Sequence, residues 1–225
     1  MSMSASSIFG AEPQQLARPS SGLPRKVMLA SQRQRLIHGL TLVVAEKALA
    51  ATTISDITDR AGVSKKTFYE HFPDKLACFL AAYDLGAAAL LADVQNASLT
   101  ARKEGRDAVA QYRAGTQAYF AFLEREVPYA RTFCLEMLAA GPEASARHRQ
   151  SRKAFALTVG TWHALNAPEH PAWPPVTAFD LEAATGLVYE IACGRIADGR
   201  AEELVSSTDD VVRASLAVLG IPLAR

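Results

Sequence analysis

With 225 residues, 49% of them apolar and only 13 of them glycine, the chain can bury a sizeable core and fits one small plus one larger helical domain. Its formal charge of +1 becomes informative only when divided: residues 1–75 hold ten Lys and Arg against six Asp and Glu, net +4, and residues 76–225 hold fourteen against seventeen, net −3. Positive charge therefore collects in the N-terminal third, the sign that phosphate contact requires. Three widely spaced cysteines, none in a Cys-x-x-Cys or Cys/His metal spacing, argue against a disulfide framework and a zinc site and point to reduced thiols. No apolar run approaches the ~20 residues of a membrane span, and the N-terminus lacks the apolar core of a signal peptide. A cytoplasmic protein with no membrane partner, no cofactor and no metal is expected.

Residues 1–24, rich in Ser, Ala, Pro and Gln without periodicity, read as a disordered arm ending near Arg18, Arg25 and Lys26. It is either a solvated tail or an arm for a DNA minor groove. The first helix is expected from about Gln32 to Leu49, with Ser31 at its N-cap and Leu36, Ile37, Leu40, Val43 and Val44 as its apolar stripe. Arg33, near its start, either reaches a phosphate or is solvated surface. Thr53 followed by Asp56 is a capping-box pair opening a second helix, in which Ile57 and Ala61 face inward and Gly62 supplies the turn. Ser64 caps a third helix, where Phe68 and Phe72 are one turn apart and face the first helix. Lys65, Lys66, Thr67, Tyr69 and His71 then point largely away from that side.

Two short helices joined by a Gly-containing turn, the second with a cationic and hydroxyl-rich face, form a helix-turn-helix pattern. Lys65 and Lys66 in the first turn suit base edges or phosphates, and Thr67 a phosphate or a thymine methyl. Asp74 reads as the N-cap of the next helix, which sets Lys75 beside backbone N–H groups able to hold a phosphate.

The run Ile57-x-x-x-Ala61-Gly62-Val63-Ser64-x-x-Thr67-Phe68-Tyr69-x-His71-Phe72-x-x-Lys75 resembles the DNA-binding domain of the TetR family of bacterial transcriptional regulators. The resemblance covers about residues 31–85. It departs from the family pattern at Thr58, where Ala is usual, and at Ala48, where a Gly usually ends the first helix. It implies an all-α protein with a three-helix DNA-binding domain at 25–75 and a helical ligand-binding and dimerisation bundle at 76–225. It also implies that Tyr69, His71 and Lys75 clamp phosphates around the groove. Arg33, Thr53 and Ser64 complete the expected DNA-facing set.

Further along, a long helix is expected from Lys75 to about Leu99, then helices over Glu104–Arg125, from Pro128 to the Gly141-Pro142 stop, and over Glu143–Leu165. Four prolines between Asn166 and Val176 mark a loop, and two helices follow, roughly Thr177–Ala197 and Glu202–Leu219. By the resemblance, these last two pair with their symmetry mates in a homodimer.

No metal or nucleophile motif is present, so an enzyme is not expected. Tyr112, Thr116, Tyr119, Phe120, Phe133, Met137, Phe155, Trp162, His163 and Tyr189 lie on the helices that line the effector pocket in the family, and either line a pocket here or are ordinary core. The expected function is a repressor that binds a pseudo-palindromic double-stranded DNA operator and is released by a small lipophilic or aromatic effector. The alternative is a DNA-bound assembly factor that recruits a protein and has no effector.

Overall fold

The computed structural model describes residues 25–222, and among them it contains nine α-helices and no strand. Helices α1 (Arg25–Lys47), α2 (Ile54–Ala61) and α3 (Lys65–His71) form the N-terminal domain. Leu36, Ile37, Leu40, Ile57 and Phe68 are fully buried at its centre. The helix α1 begins at Arg25 rather than Gln32, because Val27-Met28-Leu29-Ala30 contains no Gly or Pro to stop it; Ser31 lies inside the helix. The expected arm over residues 1–24 falls outside the described residues.

At the end of α1, Ala48 takes φ 68°, the one described non-glycine residue with positive φ, and its N–H donates to the Val44 carbonyl at 2.9 Å. This is the left-handed exit that a glycine would adopt without steric cost. The capping box that opens α2 is complete: Thr53 Oγ1 accepts from the Asp56 N–H at 3.2 Å, and the Asp56 carboxylate accepts from the Thr53 N–H at 2.7 Å. Lys47, 2.6 Å away, and the Thr53 bonds hold the Asp56 carboxyl well below the usual carboxylate range.

From the head, α4 (Lys75–Lys103) runs directly into the second domain, where it pairs along α5 (Ala108–Arg125). By length and composition α4 could cross a membrane, contrary to the expectation that no such run exists. Its Cys78, Phe79, Leu80 and Ala82 are instead buried in one apolar cluster with residues of α1, α5 and α6 (Val127–Glu136), which makes it a core helix. The chain then continues through α7 (Pro142–Asn166), α8 (Ala178–Ala197) and α9 (Thr208–Val218).

Further boundaries differ from the sequence reading, among them the end of α6 at Glu136, short of the Gly141-Pro142 stop. The fourth helix continues to Lys103, and the next starts at Ala108 under an Asp107 cap, because Gly105 at φ 73° turns the chain between them. The last helix is broken into 3-10 turns at Ala201–Glu203 and Val205–Ser207 before α9 starts at Thr208. There, Ser206 and Ser207 hydroxyls both donate to the Glu203 carbonyl and the Val205 N–H donates to the Glu124 carboxylate, which diverts polar groups from a continuous ladder. The proline-rich loop carries a 3-10 turn, Ala167–Glu169, and its Trp173 stacks on His170 at 4.5 Å and packs on Trp162 at 5.3 Å.

Two seams of α6 hold the fold together, one inside the second domain and one against the N-terminal domain. Tyr129 of α6 sits where α4 has Gly86; a Cβ there would lie 1.9 Å from the ring. Its hydroxyl donates to the Tyr83 carbonyl at 3.3 Å. Further along α6, Thr132 donates to the Thr41 carbonyl of α1 at 2.9 Å, and the Glu136 carboxylate accepts from the Leu49 N–H at 3.0 Å.

Candidate functional site

The outer face of α3 presents Lys65, Lys66 and Tyr69 to solvent, Tyr69 at 58% exposure. Among the described residues neither lysine has an ion-pair partner. The helix points this way because Phe68 alone is its buried anchor, with Phe72 tucked in just past its end. Ser64 caps it, accepting from the Thr67 N–H at 3.0 Å, while the two hydroxyls share a hydrogen bond at 2.9 Å. The Thr67 hydroxyl and the Thr53 hydroxyl, which donates to Asp56 at 2.6 Å, are thus engaged within the fold. Arg33 stands beside this face with its guanidinium 5.0 Å over the Phe72 ring.

Two residues sit differently from the expectation. His71 is half-buried, its Nε2 has no partner, and burial, followed by the nearby Arg33 charge, pushes its pKa down. Lys75 turns back into the protein: its ammonium donates to the carbonyls of Leu49 at 2.6 Å and Thr52 at 2.7 Å. The Asp74 cap forms as expected, accepting from the Ala77 N–H at 2.8 Å, but Lys75 braces the α1–α2 turn.

The second domain holds a half-open cavity of about 120 Å³ between α4, α5, α6, α7 and α8. Of the residues expected to wall a pocket, α5 contributes Tyr112, Thr116 and Tyr119, α6 Phe133, α7 Phe155 and Trp162, and α8 Tyr189. Phe120 and Met137 are fully buried in the main core instead, and His163 packs outside the cavity against Trp173 at 5.6 Å. Burial pushes the Tyr112 hydroxyl up to about 12, so it stays protonated.

Tyr83, Tyr129, His148 and Arg152 also line the cavity and fall outside the set expected from the sequence. For α7 a signal exists in the chain: His148, Arg152, Phe155, Val159 and Trp162 form one helical stripe, basic at one end and aromatic at the other. Tyr83 Oη and His148 Nδ1 share a hydrogen bond at 3.4 Å, and the His148 ring lies 4.9 Å from Tyr189. Burial and then the Arg152 charge lower the His148 pKa. The neighbouring Cys193 thiol, and then burial, push the pKa of Cys134 in the cavity wall up. A wider groove of about 420 Å³ adjoins the cavity, sharing Ser98, Thr158 and Trp162 as wall.

The chain is similar to known proteins in sequence and in fold. Residues 39–82 match the family model described as bacterial regulatory proteins, tetR family. The HTH-type transcriptional activator FasR of Mycolicibacterium smegmatis is 31% identical over 111 residues, which is 48% of this chain and 49% of that protein, so the match spans about half of each. In three dimensions the chain is similar to the fatty acid degradation regulator FadR of Bacillus halodurans, with a TM-score of 0.70 and 16% identity over 83% of this chain and 97% of that one. The FadR regulator of Bacillus subtilis, solved in complex with stearoyl-CoA, has a TM-score of 0.69 and 17% identity over 84% and 98%. At these identities the structural likeness is one of fold.

Proposed function

From a chain that belongs, by its N-terminal domain, to the tetR family of bacterial regulatory proteins, we propose a homodimeric, sequence-specific transcriptional regulator whose hold on DNA is set by a lipophilic effector in the cavity. The observation that carries this reading is the double grip on Leu49. Its N–H is held by Glu136 of α6 and its carbonyl by Lys75 of α4, and both helices are cavity walls. A ligand that separates α4 from α6 pulls this turn from two sides and rotates the head, and DNA binding must oppose ligand binding by the same factor.

In this reading the DNA-binding unit spans 25–75 and the effector and dimer unit 76–225, joined by α4. Lys65, Lys66 and Tyr69 enter the groove, while Arg33, Thr53, Ser64, Thr67 and His71 flank it; Lys75 acts on DNA through the turn that it braces. The helix α8 supports dimerisation: it is apolar along its length, yet Phe179 is 77% exposed and only Ala184, Ala192 and Ile196 are fully buried. Pairing two chains there sets two α3 helices about 34–36 Å apart, one turn of DNA. Stearoyl-CoA in the Bacillus subtilis neighbour supports an acyl chain as the apolar part of the effector. Whether release of DNA ends repression or activation depends on where the operator lies relative to the promoter.

Selection of bound duplexes from a random pool, at defined salt, tests the reading. Enrichment of a two-fold symmetric site is the expected result; a folded dimer that enriches no sequence would overturn it.

A further inference from the structure

We infer that the effector is an anionic amphiphile: an apolar chain or ring system lying in the cavity, with a carboxylate-type head paired to Arg152. The inference rests on the cavity being the effector site and names the chemical class that fits it. The wall holds one arginine and one histidine, and no Asp, Glu or Lys. Among the described residues Arg152 has no carboxylate and no hydrogen-bond partner, whereas Arg125, Arg147 and Arg195 of the same domain each rest on an acid. Its guanidinium lies 5.1 Å from the Tyr189 ring, which orients the group but satisfies none of its N–H donors. The fold makes room for it: residue 186 of α8 is Gly, and a Cβ there would come within 2.9 Å of Nη2.

A half-buried guanidinium in the cavity wall with no protein acid beside it is a place for an anion, and a carboxylate matches its fork with two parallel hydrogen bonds. Tyr83, Ser151 and Tyr189 stand in the same wall as further hydroxyl donors. The lowered His148 pKa leaves Arg152 as the positive charge of the site near neutral pH. Leu90, Val94, Leu123, Phe133, Phe155 and Val159 supply the surface for the apolar part. A longer chain can continue past Ser98, Thr158 and Trp162 into the adjoining groove, where Arg102 already donates to Asn166 at 3.1 Å. An uncharged ester at the head position would leave Arg152 without its counter-ion.

The test titrates dodecanoate, its methyl ester and its coenzyme A thioester into the full chain and into the Arg152→Gln and Arg152→Lys variants. Calorimetry reads binding, and release of a selected duplex reads function. Dodecanoate should bind roughly 10- to 100-fold tighter than the methyl ester. Arg152→Gln should erase that difference while leaving the ester affinity within about threefold, and Arg152→Lys should retain part of it. An ester that matches the acid in the parent protein, or an acid affinity unchanged in Arg152→Gln, overturns the inference. If the thioester releases DNA equally from the parent and Arg152→Gln proteins, the pairing of the head with Arg152 is wrong and the regulator reading stands. If none of the three binds a chain that still binds its duplex, the cavity is not the effector site and both fall.

Discussion

The first turns of α3 and the middle of α7 carry nearly the same kinds of side chain and orient them oppositely. On α3, Lys65, Lys66 and Tyr69 face solvent because the short helix has one fully buried anchor, Phe68, with Thr67 and His71 half-buried beside it. On α7, which packs against both α4 and α8, the basic residues divide. Arg149 and Lys153 stay outside, Arg147 pairs with Asp84 on the surface, and His148 and Arg152 turn onto the cavity with the aromatic half of their stripe. A basic run on a helix with one packed side is a surface; on a helix packed from two sides, its meaning depends on which stripe each residue occupies.

The contrast can be broken most severely from the cavity side. Tyr129→Ala removes the ring seated on Gly86 and should cost about 3–5 kcal/mol in urea unfolding, with the cavity opened. From the DNA side, Lys65→Ala with Lys66→Ala should weaken operator binding by roughly 2–4 kcal/mol. It should flatten the salt dependence by about one unit of slope for each phosphate no longer neutralised, with the unfolding midpoint unchanged. A shifted midpoint would mean that α3 contributes to the core as α7 does.

The turn between the regions gives a smaller effect with a sharper reading. Lys75→Met leaves two carbonyls without their donor and should lower stability by about 1–3 kcal/mol while the salt slope stays the same; a slope lowered by about one would restore Lys75 to the phosphates. Glu136→Ala, which frees the Leu49 N–H, should leave ligand affinity intact and reduce the ligand's effect on DNA binding by about 1–2 kcal/mol of coupling, measured by repeating each titration in the presence of the other ligand. Least of all, Ala48→Gly should stabilise the chain by about 1 kcal/mol, since glycine takes the left-handed exit of α1 without a Cβ clash. An unchanged or lowered midpoint would mean that the exit is not strained.

Much of the DNA-binding head is legible in the chain. The caps at Thr53, Ser64 and Asp74, the Gly62 turn and the inward Ile57, Ala61, Phe68 and Phe72 all follow from contacts within a few residues, and local spacing predicts such contacts. Legibility ends where a side chain's partner lies far along the chain. Lys75 resembles a phosphate ligand because its own helix start is a good anion site; its partners, Leu49 and Thr52, belong to a turn that only packing brings near. His163 and Met137 are carried by or adjoin helices that do wall the cavity, but neither lines it, because a helical stripe says which residues share a face and not which neighbour that face meets.

The sequence by itself determined most of the helices, the caps and turn of the head and the cationic face of α3, since these depend on short-range hydrogen bonds and on which residues recur every helical turn. The tertiary structure alone decided that Glu136 and Lys75 would meet at Leu49 and that Arg152 would face a cavity whose wall holds no acid. Both depend on how helices cross in space, and packing sets that through contacts between residues distant in the chain.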